Sequence, residues 1–141
     1  CSAAPALPWH EGTAMHRSRL AGFIIDCQTN DLEAAAAFWS AALGMPTRPL
    51  PAAEGEKYVR LDEGDRDLHV EVQKVAHPSR VHLDIEADDI EAEVARLEKL
   101  GAKRVGRVET WCVMEAPTGQ RFCVVRVQSP EKFAAGANEW R

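Results

Sequence analysis

The sequence predicts an α+β fold in which two tandem β-α-β-β-β modules pair into a curved mixed-sheet cup with helices on its outer face. The first observation behind this reading is an internal repeat. The stretch Ile24-Ile25-Asp26 through Asn30-Asp31-Leu32-Glu33-Ala34 returns as His82-Leu83-Asp84 through Asp88-Asp89-Ile90-Glu91-Ala92, with Asp26/Asp84, Asp31/Asp89, Glu33/Glu91 and Ala34/Ala92 identical. Such self-similarity marks one supersecondary unit used twice. The second observation is that, in each copy, period-two alternation gives way to helical spacing and then to short alternating runs bounded by turn residues. The third is size: 141 residues with 45% hydrophobic content make one domain, or two small units sharing a core.

The repeat spans residues 20–127, as modules 20–76 and 80–127 joined at His77-Pro78-Ser79, too short for an independent linker. Gly22 to Thr29 alternates as a strand. Asn30 then caps a helix and Glu33 completes a capping box, a device that Asp88 and Glu91 repeat. Leu32, Ala35, Ala36, Trp39 and Leu43 share one face of the first helix; Ile90, Val94, Leu97 and Leu100 share one face of the second. Gly44 and Gly101 end them.

Pro46, Pro49 and Pro51 restrict any strand at Thr47–Leu50 to a short edge piece, while Tyr58–Leu61 and Leu68–Val75 read as a hairpin. In the second copy Lys103–Val108, Trp111–Glu115 and Arg121–Val127 follow the same plan, with Pro117-Thr118-Gly119-Gln120 as the last turn. Residues 1–19 are Ala- and Pro-rich, lack the unbroken apolar core of a secretory signal, and read as an N-terminal tail or remnant. Residues 128–141 read as a C-terminal tail whose Phe133 and Trp140 could dock on the body.

Strand alternation then assigns faces, because the helices must cover the apolar side of each sheet. Ile25, Cys27, Val70, Val72, Val81, Leu83, Ile85, Phe122 and Val124 face helices. Ile24, Asp26, Gln28, His69, Glu71, Gln73, His82, Asp84, Glu86, Cys123 and Val125 take the other face, where the paired modules would make a concave ligand site. Trp111 and Tyr58, at matching hairpin positions, would wall it, and Arg60 would clamp an anionic substrate or pair with a carboxylate.

The net charge of −5 with interspersed signs leaves no basic stripe for nucleic acid, and no apolar run approaches the roughly 20 residues of a membrane span. Cys1, Cys27, Cys112 and Cys123 show no CxxC spacing, so free thiols and a cytoplasmic address are expected. Exposed sheet edges would support a homodimer.

Asp-Leu-Glu-Ala opening a helix that ends in Leu43-Gly44, Phe38-Trp39, Val81-His82-Leu83-Asp84 before Asp88-Asp89, and Ala116-Pro117-Thr118-Gly119-Gln120-Arg121-Phe122 before the last strand are the carriers of a family resemblance. Over residues 20 to 127 the chain resembles the vicinal oxygen chelate superfamily, the glyoxalase/bleomycin-resistance/dioxygenase proteins, and its small glyoxalase-like branch most of all. The resemblance places metal ligands at Ile24, Glu71, His82 and Cys123. Glu71 and His82 are ligand types suited to zinc, iron or nickel, Cys123 would add thiolate sulfur, and Ile24 cannot ligate.

Three functions follow as expectations. The first is a small-molecule-binding protein, its ligand held in the cup between the modules by Trp111, Tyr58 and Arg60 without need of a metal. The second is a metal-dependent glyoxalase-like lyase, isomerase or dioxygenase using Glu71 and His82, with Cys123, on a small oxygenated substrate. The third is a metal-free acid/base enzyme in which Asp26, Asp84, Glu71 and His82 move protons.

Overall fold

The computed structural model describes residues 15–141 and contains nine strands and four helices among them. The chain divides into two compact units, one of residues 22–82 and one of residues up to 21 with 83–141. Each unit contains the predicted β-α-β-β-β plan, and the fold class is α+β.

In the first unit, the second half of β1 (His16–Gln28) is followed by α1 (Leu32–Leu43), β2 (Thr47–Pro49), α2 (Glu54–Lys57), β3 (Tyr58–Leu61) and β4 (His69–Val75). β2 and β3, and β3 and β4, are antiparallel, while β4 runs parallel to β1 with Ile24 opposite Glu71 and Asp26 opposite Gln73. Met45, Leu61 and Val72 form the core, against which Cys27, Leu32, Ala35, Trp39 and Val70 pack. Gly22 meets His69 so closely that a Cβ there would stand 2.0 Å from the His69 carbonyl oxygen.

The second unit repeats the plan with β5 (Arg80–Ala87), α3 (Ile90–Lys99), β6 (Lys103–Val108), β7 (Trp111–Glu115) and β8 (Arg121–Arg126). β6, β7 and β8 form an antiparallel meander, and β8 is parallel to β5, with Asp84 opposite Cys123. Ala87, Val94, Leu97, Cys112, Met114, Phe122 and Val124 make its core.

The helix caps differ from expectation by one residue. Asp31 and Asp89, not Asn30 and Asp88, accept the backbone N–H of Ala34 and Ala92, each at 3.0 Å. In both copies the second Asx is the one whose oxygen reaches the N–H three residues on, which is what defines the cap. Gly44 ends α1 in the left-handed conformation (φ 67°), as expected, and α3 closes at Leu100 just before Gly101 (φ 109°). Leu43 and Leu100, expected on the covered faces, are exposed, because each lies at the end of its helix, beyond the core that the middle turns cover. Val81 and Leu83 are likewise exposed, whereas Ile85, on the same side of β5, packs under α3.

The first described residues and the C-terminal segment both belong to the second unit. β1 begins at His16, six residues before the expected strand start at Gly22, and pairs antiparallel with β9 (Asn138–Trp140), His16 opposite Trp140. The expected tail through residue 19 therefore ends earlier, and its residues before 15, Cys1 among them, lie outside the described residues. In the C-terminal segment the two residues expected to dock are both engaged: α4 (Pro130–Gly136) buries Phe133, and Trp140 Nε1 donates to Ser18 Oγ at 2.8 Å.

A buried polar network explains both additions. Glu93 of α3 is fully buried, and its carboxylate accepts from Ser18 Oγ (2.7 Å) and from Arg96 Nε and Nη2 (2.8 and 2.9 Å), with His16 Nε2 at 2.7 Å. The Arg96 guanidinium in turn lies 3.8 Å from the centre of the Trp140 ring. Glu86, also buried, accepts from Arg19 Nε and from the Gln128 N–H, both at 2.7 Å. His16, Ser18 and Arg19, the buried polar residues of β1's first half, thus each have a partner, as buried polar groups require.

Candidate functional site

The first unit brings ionisable side chains together at the far end of β1. Gln28 fastens the β4–β5 connection there: its N–H donates to Ser79 Oγ (2.9 Å) and its side-chain amide to the Ala76 carbonyl (2.8 Å). The connection is thereby folded back along β1, and His77, Arg80 and His82 all come to bear on Asp26.

Asp26 is 2% exposed. Its Oδ2 lies 2.8 Å from His82 Nδ1, 3.5 Å from Arg80 Nε and 3.9 Å from His77 Nε2. A carboxylate can only accept, so the short contact is an Nδ1–H of His82 donating to Asp26, and the lone pair of the neutral imidazole is on Nε2. The permanent positive charge of Arg80 offsets the buried carboxylate, which a lone histidine would not do. Asp26 Oδ1 is buried with no hydrogen-bond partner among the described residues. A buried carboxylate orienting an imidazole through Nδ1 is the arrangement that fixes a histidine for proton transfer or for ligation through Nε2.

The other expected residues occupy different settings. Glu71 receives Arg60 Nη1 at 3.3 Å, while Arg60 Nη2 is 3.4 Å from Glu63, so Arg60 is tied between two carboxylates. Tyr58 accepts from Gln73 Nε2 at 3.1 Å, a bond across β3 and β4. Trp111 is half-buried at the start of β7, opposite Val108. Asp84 is buried on β5 two residues after His82 and is in register with Cys123 of β8.

The ligand positions implied by the resemblance do not make a complete donor set. Ile24 is buried hydrocarbon and Glu71 is engaged by Arg60. Within the second unit, Asp84 and Cys123 bring ligand-type atoms within 4.8 Å of each other; Glu71 is not among the grouped ligand-type residues. Burial pushes the thiols of Cys27 and Cys112 above the ordinary cysteine value, which suits packed, unreactive sulfur.

The model of the Glyoxalase-like domain matches residues 22–125. The chain belongs to that family. No match to a curated protein was found by sequence. Among solved structures, this glyoxalase-like chain is similar to a substituted methylmalonyl-CoA epimerase from Streptomyces coelicolor in complex with 2-nitronate-propionyl-CoA. They share 14% identity and a TM-score of 0.55, covering 77% of this chain and 98% of the other. A hypothetical protein from Bacillus halodurans C-125 compares at 13% identity and TM-score 0.52 over 79% and 97% of the two chains. A methylmalonyl-CoA epimerase in complex with methylmalonyl-CoA and NH4+ compares at 13% and 0.51 over 77% and 95%. These likenesses establish the glyoxalase-like fold.

His82 and Asp26 were both legible in the sequence as polar residues opposite the helices, although not as partners. His77 and Arg80 were missed. They flank a junction read only as a connection, and nothing in the local pattern signals that Gln28 would draw it back onto β1.

Proposed function

We propose that this glyoxalase-like protein is a small-molecule acid/base enzyme in which His82 is the base and Asp26 its positioning partner. The observation that carries the reading is the 2.8 Å contact between His82 Nδ1 and the buried carboxylate of Asp26. The carboxylate holds the ring in one tautomer and stabilises the imidazolium that forms when Nε2 takes a proton. Its own protonation is not needed. Arg80, against the same carboxylate, keeps the charge count of the resting site close to balanced. The substrate class is a small carbonyl compound with a hydrogen acidic enough for an imidazole base to remove.

The test is deuterium wash-in. A panel of small ketones, keto acids and thioesters is incubated with the protein in D2O and followed by proton NMR; CoA thioesters belong in the panel because solved epimerases of this fold carry them. Catalysed exchange at the carbon next to the carbonyl is expected for at least one compound. It should fall about 100-fold or more in both His82→Gln and Asp26→Asn, the usual contribution of a positioned acid/base group. Exchange that is unchanged in both variants would overturn the assignment. So would a stoichiometric transition metal that leaves with His82→Ala and survives Asp26→Asn, because it would make His82 a ligand and not a base.

A further inference from the structure

We infer that Arg80 is an oxyanion-binding residue, and that the substrate of the His82 site carries a carboxylate or phosphate group. The inference deepens the acid/base reading, on which it rests for the position of the anion relative to the base.

Arg80 is the first residue of β5, directly after the connection that Gln28 and Ser79 fasten to β1. Its guanidinium is held at two points. Nε faces Asp26 Oδ2 at 3.5 Å, and Nη2 lies 3.4 Å from His77 Nε2. Because a guanidinium only donates, His77 Nε2 accepts at that contact, and the other ring nitrogen, 2.9 Å from the Pro78 carbonyl oxygen, carries the hydrogen. The histidine is thus fixed by the loop backbone and in turn fixes the arginine.

These two contacts use one edge of a planar group that has five N–H donors. The side chain is 45% exposed, against 1% for Asp26, so the arginine reaches from the buried carboxylate to the solvent. A guanidinium so placed matches an oxyanion with paired, parallel hydrogen bonds, a geometry that lysine cannot supply. The ordering entropy that binding would otherwise demand of a long side chain is already spent on Asp26 and His77. An anion on Arg80 would also sit within one side chain of the imidazole that receives the proton.

The experiment uses acetate and inorganic phosphate as probes at constant ionic strength, with chloride as the balancing ion, and follows the ring resonances of His82 and the Arg80 side-chain signals by NMR. Saturable shifts are expected with at least one probe. The tighter of the two identifies the class, carboxylate or phosphate ester. Arg80→Gln should weaken binding at least tenfold and Arg80→Lys at least threefold. His82→Gln should leave anion binding, read on the Arg80 signals, within about twofold while abolishing deuterium exchange. Retained anion binding with no exchange in any protein would refute the base assignment and leave the anion site standing. Absence of a saturable shift with either probe, or equal affinity in Arg80→Gln, overturns the anion site.

Discussion

Replacing Glu93 with alanine is the perturbation whose size the structure specifies best. The carboxylate is fully buried and accepts from Arg96 twice and from Ser18, with His16 Nε2 at 2.7 Å. Removing it leaves a guanidinium, an imidazole and a hydroxyl without their acceptor, and breaking a buried pair in this way costs about 3–5 kcal/mol. The arginine side chain is a quarter exposed and regains some water, so the lower end, about 3 kcal/mol, applies. With a urea m-value of roughly 1.5 kcal/mol/M for a chain of this size, the midpoint falls by about 2 M.

The same group sets a pH dependence. Burial alone would push the Glu93 carboxyl up, but the hydrogen bonds from Arg96, His16 and Ser18 outweigh it, and the net effect is a value below the ordinary one. A carboxyl lowered on folding contributes stability above its unfolded value, and that contribution is lost as pH falls through the folded value. Urea midpoints of the wild type should therefore begin to fall as pH drops below about 4.3, the unperturbed glutamate value. Glu93→Gln should remove that part of the fall. A loss in Glu93→Ala of under about 1 kcal/mol, the size of a surface ion pair, would refute the buried-network assignment.

Other substitutions probe the frame. Gly22→Ala places a methyl 2.0 Å from the His69 carbonyl oxygen and should cost about 3 kcal/mol or more, whereas Gly106→Ala meets nothing within 4 Å and should stay within about 0.5 kcal/mol, both read by thermal unfolding. Asp31→Ala and Asp89→Ala each remove a cap and should cost about 1 kcal/mol, with near-additivity in the double variant because the two caps are in different modules. Burial raises the Cys27 and Cys112 thiols, so both should react slowly with a thiol reagent at neutral pH and rapidly in urea; fast native labelling of either would contradict its packing.

The modules were legible because their signals are local and doubled. β3, β6 and β7 run over the expected residues, and the apolar positions of α1 and α3 that pack on β-strands follow helical spacing. The chain ends were not legible, because β1's first half is buried through His16, Ser18 and Arg19, whose polarity reads as surface until Glu93 and Glu86 are known to receive them. Likewise β9 has three residues, too few for a periodic signal, and gains its place from Trp140 meeting Arg96 and Ser18. At the site, alternation put Asp26 and His82 opposite the helices but carried no information on which carboxylate each basic group would meet. Arg60 went to Glu71 and Glu63, and Arg80 to Asp26.

The tautomer of His82 tests the central claim most directly. Nitrogen-15 NMR of histidine-labelled protein above the imidazole titration range should show His82 as the Nδ1–H tautomer, with Nε2 unprotonated. Asp26→Asn should redistribute the proton between the two nitrogens. A His82 that carries its proton on Nε2 in the wild type, or whose tautomer is indifferent to Asp26→Asn, would contradict a base positioned by Asp26.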